Sequence, residues 1–190
     1  MKNIKFLFLL VLVAFSSCND DDHSNENATN IIVPNLIEIE TQPSHVVSDI
    51  LYLKSNFSRF LIQQGQTSTT DIFAITNAPS FSFSFGLEKK NIDGTWSIIN
   101  LENKMIGDRG NINDGYYNIA DCVYNSSTET YEFRAGIPLE QTGDYRIFFG
   151  FTDASRLELS SNDVSASSNH LNIQTSVINM NDFYYFFTVQ

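Results

Sequence analysis

The stretch Phe81-Ser82-Phe83-Ser84-Phe85-Gly86-Leu87-Glu88 decides the fold class of this chain. Large apolar side chains alternate with small or polar ones, and successive side chains of a β-strand point to opposite faces. The alternation therefore predicts a strand with one face on a core and the other face in water. Residues 89–95 follow with an Asp-Gly pair, which is typical of a tight turn. We predict that Trp96-Ser97-Ile98-Ile99 returns as the partner strand of a hairpin.

The chain from residue 31 onward shows the same short-strand pattern. Apolar runs are separated by clusters of Asn, Asp, Gly, Ser and Thr, and no stretch of about ten residues keeps a helical period. We predict a second hairpin around Asn125-Ser126-Ser127-Thr128, long polar connections at 105–115 and 152–169, and about eight to ten strands in all. Beyond the first hairpin, the predicted strands are 36–41, 47–53, 57–62, 71–76, 116–124, 129–137, 144–151, 170–178 and 182–189.

The last predicted strand contains Phe183-Tyr184-Tyr185-Phe186-Phe187-Thr188-Val189, which is apolar on both faces. An exposed sheet edge of that composition invites aggregation. We therefore predict that this strand lies inside a sheet or under another layer.

One local motif favours a particular arrangement of these strands. Leu139-Glu140-Gln141-Thr142-Gly143-Asp144-Tyr145-Arg146-Ile147 resembles the tyrosine corner of immunoglobulin-like and fibronectin type III domains. The resemblance implies an all-β fold, a single antiparallel β-sandwich over residues 31–190, and a structural role for Tyr145, whose phenol would bond backbone at the bend. The alternative is an up-and-down barrel, because Asp93-Gly94-Thr95-Trp96 is similar to the Gly-x-Trp of lipocalin-like proteins.

The N-terminus has the features of an export signal. Lys2 and Lys5 flank the start of an apolar run that ends at Phe15, and Ser16-Ser17-Cys18 follows. As a helix, these apolar residues would span about 15 Å, too short for a hydrocarbon core of roughly 30 Å. The pattern predicts that residues 1–17 are a signal peptide and that Cys18 becomes the lipidated N-terminus. An ordinary secretory signal with an incidental cysteine is the alternative.

This segment resembles the bacterial lipoproteins that signal peptidase II cuts. The acidic run Asn19-Asp20-Asp21-Asp22 after Cys18 is similar to the start of surface lipoproteins of the Bacteroidota. The resemblance implies an outer-membrane lipoprotein, facing the cell surface or the periplasm and attached to the membrane through lipid, such as palmitate, at Cys18. Residues 18–30 are polar and unpatterned, so we expect them to form a flexible acidic tether.

The charge of the chain excludes several kinds of partner. Loss of the two lysines in residues 1–17 leaves nine basic side chains against 22 acidic ones, a formal charge of −13. Binding to nucleic acid or to anionic headgroups needs clustered Lys and Arg. We therefore expect no nucleic-acid partner.

The sequence contains no readable catalytic motif. His23, His45 and His170 are isolated, so no zinc-binding spacing exists, and the glycine signatures of hydrolases, P-loop enzymes and dinucleotide binders are absent. We predict a protein that is not an enzyme and holds no cofactor. If Cys18 carries lipid, Cys122 has no partner for a disulfide within the chain, and its apolar surroundings predict a buried, inert thiol.

Two sets of residues are candidates for binding. Trp96, Tyr116 and Tyr117 are aromatic residues near predicted turns that could stack on sugar rings. The second set is a weak candidate for calcium, because Gly110 occupies a ligand position of the usual loop and Arg109 adds a repelling charge. We therefore predict no metal; the oxygen-bearing residues of this loop are Asp108, Asn111, Asn113 and Asp114.

These observations favour a lipid-anchored, extracytoplasmic and non-catalytic binding module. By its resemblance to surface lipoproteins, it would be a glycan- or ligand-binding accessory of an uptake or adhesion system. The alternative is a structural lipoprotein that binds a protein partner within an envelope complex. An enzyme without a readable motif is the third hypothesis.

Overall fold

The computed structural model describes residues 28–150, 157–162, 169–178, 180 and 184–190. The predicted signal peptide and Cys18 lie outside these residues. The all-β prediction is confirmed, because the described residues form fifteen strands and one short helix, α1 (Ile72–Thr76). The predicted count of eight to ten strands is too low, because segments predicted to be connections also contain short strands. In chain order the strands are β1 (Thr29–Ile32), β2 (Ile37–Glu40), β3 (Ile50–Ser58), β4 (Phe60–Ile62), β5 (Thr69–Asp71), β6 (Ser80–Lys90), β7 (Trp96–Ile98), β8 (Ile106–Arg109), β9 (Asn111–Asn113), β10 (Asn118–Asn125), β11 (Thr130–Pro138), β12 (Gly143–Phe149), β13 (Leu157–Asn162), β14 (Leu171–Thr175) and β15 (Tyr184–Val189).

Most strands belong to one large, curled sheet. Its main path runs β1-β14-β13-β6-β10-β11-β3-β2, while β4 and β5 form a separate two-stranded sheet. The ends of this path approach each other, since Ile37 bridges Val177 and the Ile178 amide donates to the Ile37 carbonyl at 2.8 Å. An up-and-down barrel requires neighbouring strands to follow each other in the chain, and the strand order of this sheet does not.

The sheet is mixed, so the prediction of a purely antiparallel sheet is wrong. β1 pairs in parallel with β14, from Thr29 opposite Leu171 to Ile32 opposite Gln174. These strands lie far apart in the chain, and no hairpin forces their direction to alternate. β1 also starts within residues 18–30, the segment predicted as tether.

Strand β6, which contains the alternating stretch, is the centre of the fold. Its first half pairs with β13 on one side and β10 on the other, and its second half pairs with β12 and β7. The predicted hairpin is confirmed by Lys90 opposite Trp96. The four alternating apolar side chains are buried as predicted, but Ser80 and Ser84 on the other face are buried too. The face expected in water is thus partly covered.

A wedge of two strands separates β10 from β11. β10 and β11 pair at their predicted hairpin, from Asn125 opposite Thr130, and then diverge. β9 pairs with β10 and β8 with β11, filling the gap. At the wedge tip, Gly110 has a φ of 68°, and an added Cβ would lie 2.3 Å from the Asp121 carbonyl and 2.8 Å from the Glu132 carbonyl. The predicted connection at 105–115 is therefore wrong, because these residues satisfy backbone groups that the divergence exposes.

The predicted strand at 71–76 is also wrong, since this segment forms α1. The Asp71 side chain accepts from the Ala74 amide at 3.0 Å and caps the helix, which ends at the left-handed Asn77. A short apolar run has no period that distinguishes strand from helix, so the caps decide. β13 lies within residues 152–169, so the prediction of a connection there is wrong as well.

The last strand is not in the interior of a sheet. Within the described residues, β15 pairs along its length only with β12, and His45 bridges Val189 at its end. Phe187 and Val189 face the core, whereas Phe186 is 55% exposed. The prediction of a covered strand is therefore wrong. No helix in the described part of the chain is long and apolar enough to cross a membrane.

Candidate functional site

The second half of β6 and its neighbours carry a cluster of aromatic rings on their outer surface. β15, β12, β6 and β7 lie side by side, and Arg146 on β12 is opposite both Phe186 and Glu88. Because side chains at opposed positions share a face, the register brings these residues together. We call the outer surface formed by Trp96, Arg146, Tyr184 and Phe186 the aromatic face.

Arg146 holds the aromatic face together. Its guanidinium carbon lies 4.5 Å from the ring centre of Trp96 and 4.0 Å from that of Tyr184. Its Nε donates to the Glu88 carboxylate, and both side chains are largely buried. Trp96 also meets Phe186 edge-on, with ring centres 5.8 Å apart. Stacking and ion pairing therefore fix the rings before any ligand arrives.

A shallow cavity of about 320 Å³ lies beside these rings. Trp96 and Phe186 line it together with three polar side chains, Lys90, Asp144 and Thr188. Thr188 donates to Asp144 at 2.8 Å, and Lys90 makes no ion pair with any described residue. The cavity therefore combines ring surfaces with one cation, one anion and a hydroxyl, a composition that suits a ligand with apolar faces and polar edges.

The structure brings two of the three predicted aromatic residues to this outer surface. Trp96 is part of the aromatic face, and the Tyr117 ring meets Phe148 at 6.0 Å. Phe148 lies over Gly86, where an added Cβ would be 2.2 Å from its ring. Tyr116 is 55% exposed and makes no ring contact with the aromatic face within the described residues.

Sequence reasoning missed three members of the aromatic face: Arg146, Tyr184 and Phe186. The spacing of Tyr184 and Phe186 places them on one face of a strand, which was the available signal. Their proximity to Trp96 depends on the pairing of β15 with β12 and of β12 with β6, which no local pattern encodes.

The residues of the weak calcium candidate are spread over separate contacts. Asp108 accepts from Arg134 at 2.9 Å, and Asp114 accepts from the amides of Lys104 and Met105 at 3.2 and 3.1 Å. Asn111 and Asn113 lie in β9. In the parts of the chain that the structure describes, no three His, Cys, Asp or Glu side chains converge as a metal site would require.

Tyr145 lies behind the aromatic face and makes the type of hydrogen bond that a tyrosine corner implies. Its hydroxyl donates to the Gln141 carbonyl at 2.8 Å, and its ring stacks on Phe187 with centres 5.5 Å apart. Burial raises the pKa of this phenol. Tyr145 thus joins the turn before β12 to the inner face of β15.

Neither Cys122 nor His45 belongs to the aromatic face. Cys122 is a free, fully buried cysteine in β10, and burial raises the pKa of its thiol to about 12. The thiol is therefore protonated at neutral pH and a poor nucleophile. His45 is 3% exposed with its ring edge-on to Phe187, and its Nδ1 has no hydrogen-bond partner within the described residues.

The aromatic face lies far from the point where the chain enters the fold. Thr29 is opposite Leu171, which lies level with Ser161, and Ser161 is opposite Phe81 near the start of β6. The aromatic face is at the other end of β6, which spans eleven residues or about 35 Å. A membrane attachment at the N-terminus would thus leave this face accessible.

No family model matches the chain, and neither a curated protein nor a solved structure matches it. The geometry of the aromatic face therefore carries the functional argument.

Proposed function

We propose that this protein is a lipid-anchored, non-catalytic module that binds a neutral glycan at the aromatic face. The cavity between the Trp96 and Phe186 rings and the polar side chains of Lys90, Asp144 and Thr188 carries this proposal. A pyranose has the matching chemistry, because its C–H groups pack on rings while its equatorial hydroxyls donate and accept at the edges.

The charges around the cavity favour a neutral sugar over an acidic one. Asp144 lies beside Lys90 at the cavity, so a carboxylate that approached the ammonium would also meet an anion. Arg146 is already paired with Glu88. The formal charge of −13 on the chain without residues 1–17 further opposes long anionic polysaccharides.

The anchor is part of this proposal. Cys18 would carry the lipid on an outer-membrane lipoprotein, and the position of the aromatic face at the far end of β6 suits a ligand that arrives from outside. An immunoglobulin-like sandwich is the proposed finer architecture, supported by the bond from Tyr145 to Gln141. Labelling with a radioactive fatty acid tests the anchor, and retention of the label by Cys18→Ser would refute it.

A glycan array tests the binding. The chain from Asn19 to Gln190, made without lipid, should bind neutral glycans, and Trp96→Ala or Phe186→Ala should weaken binding about tenfold each by loss of ring stacking. Tyr116→Ala is the matched control, since this exposed tyrosine lies off the aromatic face, and it should bind normally. Absence of array binding, or equal losses in all three variants, would count against the proposal.

A protein partner is the second candidate, favoured by the position of β15. Its pairing with β12 leaves the opposite edge of Tyr184–Thr188 without a strand among the described residues, and an extended segment of another protein can add to such an edge. Co-purification from cells that make the lipidated form tests this candidate. A stoichiometric envelope partner together with a blank glycan array would favour it over the glycan.

A further inference from the structure

A second exposed apolar surface lies at the other end of the fold. Phe60 and Ile62 are 45% and 55% exposed on one face of β4, with the buried Leu61 between them on the other. Asp71, which pairs with Phe60, caps α1, and Ile75 on this helix is 36% exposed. We call Phe60, Ile62 and Ile75 the tether-end surface.

The chain enters the described fold beside this surface. The Thr29 amide donates to the His170 carbonyl at 2.8 Å, and the neighbouring Asn169 side chain lies 3.5 Å from the Ile75 carbonyl. The first residues of β1 therefore begin next to α1. The described chain therefore joins the fold at this end, opposite the aromatic face.

The tether-end surface is supported from behind. The Arg59 guanidinium lies 5.0 Å from the Phe60 ring centre and 5.1 Å from that of Phe73, and it pairs with Asp71. Phe73 in turn stacks on Tyr124, with ring centres 4.3 Å apart. Phe60 is thus held in its exposed position by a stack that continues inward.

The local charge has no excess of cations. Arg59 faces the carboxylates of Asp71 and Glu129, the latter at 3.5 Å, so one cation meets two anions. An apolar surface with no surplus of cations suits zwitterionic lipid better than anionic lipid.

We infer that the tether-end surface rests on the lipid bilayer that holds the protein. The inference depends on the lipid attachment in the proposed function. Cys18 precedes Thr29 by eleven residues, and a chain of that length spans at most about 38 Å. The bilayer is therefore within reach of Phe60, Ile62 and Ile75, and contact with it would remove their apolar area from water. The aromatic face would then point away from the membrane.

The single tryptophan of the chain makes the orientation measurable. Trp96 lies on the aromatic face, so Trp96→Phe gives a background in which a new tryptophan reports one position. Phe60→Trp places the probe on the tether-end surface. Ile92→Trp is the matched control, because Ile92 is a fully exposed apolar residue at the opposite end, in the turn after β6.

The test uses the chain from residue 18 with Cys18→Ser and an N-terminal hexahistidine tag, bound to vesicles of brominated phosphatidylcholine that contain a nickel-chelating lipid. Phe60→Trp should lose about half of its fluorescence, because interfacial side chains enter roughly 5–10 Å. Ile92→Trp should keep its intensity. No quenching at position 60, or equal quenching at both positions, would overturn the inference. The nickel lipid supplies the anchor, so this failure is distinct from failure of lipidation or of glycan binding.

A pair of surface variants completes the test. Untagged Phe60→Ser with Ile62→Thr should partition onto phosphatidylcholine vesicles about tenfold less than the parent, whereas Ile92→Ser should partition as the parent does. Equal urea midpoints would exclude a folding defect. A dimer in light scattering that these two substitutions dissociate would show that a second copy covers the surface, and it would overturn the inference.

Discussion

The two ends of the molecule contain the same chemical arrangement with different surroundings. At each end an arginine lies between two aromatic rings and pairs with a carboxylate: Arg146 with Glu88, and Arg59 with Asp71. At the aromatic face the rings border a cavity. At the tether-end surface, Phe73 continues the stack onto Tyr124 and so connects Arg59 to the interior.

A stacked arginine does not by itself mark a binding site. The Arg59 stack joins α1 to the β10–β11 end of the sheet, so it supports the fold. The Arg146 stack lies on the outside of β12 and fixes rings that line an open cavity. What lies behind and beside the rings decides between the two roles, and substitutions can separate them.

The largest effect on stability is expected at Gly110, at the tip of the β8–β9 wedge. Gly110→Ala adds a Cβ that would meet two backbone carbonyls, at a φ of 68° that disfavours alanine. We expect the free energy of unfolding to fall by about 3 kcal/mol or more, measured by urea denaturation. Gly107→Ala in β8 is the control, since its Cβ would meet nothing within 4 Å. Equal losses in the two variants would show that the wedge is not the cause.

The next effect tests the inward stack. Phe73→Ala removes a half-buried ring that contacts both Tyr124 and Arg59, and it should lower the free energy of unfolding by about 2 kcal/mol. Glycan binding should remain, because Phe73 is remote from the cavity. A variant as stable as the parent would show that the Arg59 stack contributes little to the fold.

The aromatic face should show the opposite behaviour. Trp96→Ala removes a partly exposed ring from the outer surface, so the free energy of unfolding should change by less than about 1 kcal/mol. Chemical denaturation followed by circular dichroism measures this. A loss as large as that of Phe73→Ala would mean that the aromatic face is a structural cluster like its counterpart.

The smallest effect concerns pH. The hydrogen bond from Arg59 lowers the pKa of Asp71 in the folded protein. Ionised Asp71 therefore stabilises the folded state relative to the unfolded state. This contribution is present above the ordinary aspartate pKa of about 3.9 and is lost as the pH falls through the lower folded value. Asp71→Asn keeps a helix cap and should flatten the acid limb of the stability curve. An unchanged acid limb would show that the pair contributes nothing measurable.

Local patterns predicted much of the fold. The alternation around Phe81 identified β6 and its burial, and turn residues identified the hairpins of β6 with β7 and of β10 with β11. The run Ile72-Phe73-Ala74-Ile75 was predicted to be a strand but is helical. So short a segment has no periodicity that separates the two, and its capping residues decide. β15 misled because two apolar faces can also belong to an edge whose outer rings pack on Trp96.

Less of the candidate site was predictable. Trp96 was identified as an exposed aromatic residue near a turn, but its partners Arg146 and Tyr184 come from strands far along the chain. Tyr116 is also an exposed aromatic residue near a predicted turn, but it lies off the aromatic face. Only the register of β15, β12, β6 and β7 shows that Trp96 belongs to the aromatic face and that Tyr116 does not.

Neighbouring residues and their backbone preferences were enough to predict the all-β class, the core-facing positions of β6, and the turns between β6 and β7 and between β10 and β11. The tertiary structure alone decided the parallel pairing of β1, the wedge at Gly110 and the assembly of Trp96, Arg146 and Tyr184 around one cavity. These features arise from pairing between distant strands, where the order of a sheet and not the local pattern chooses the neighbours.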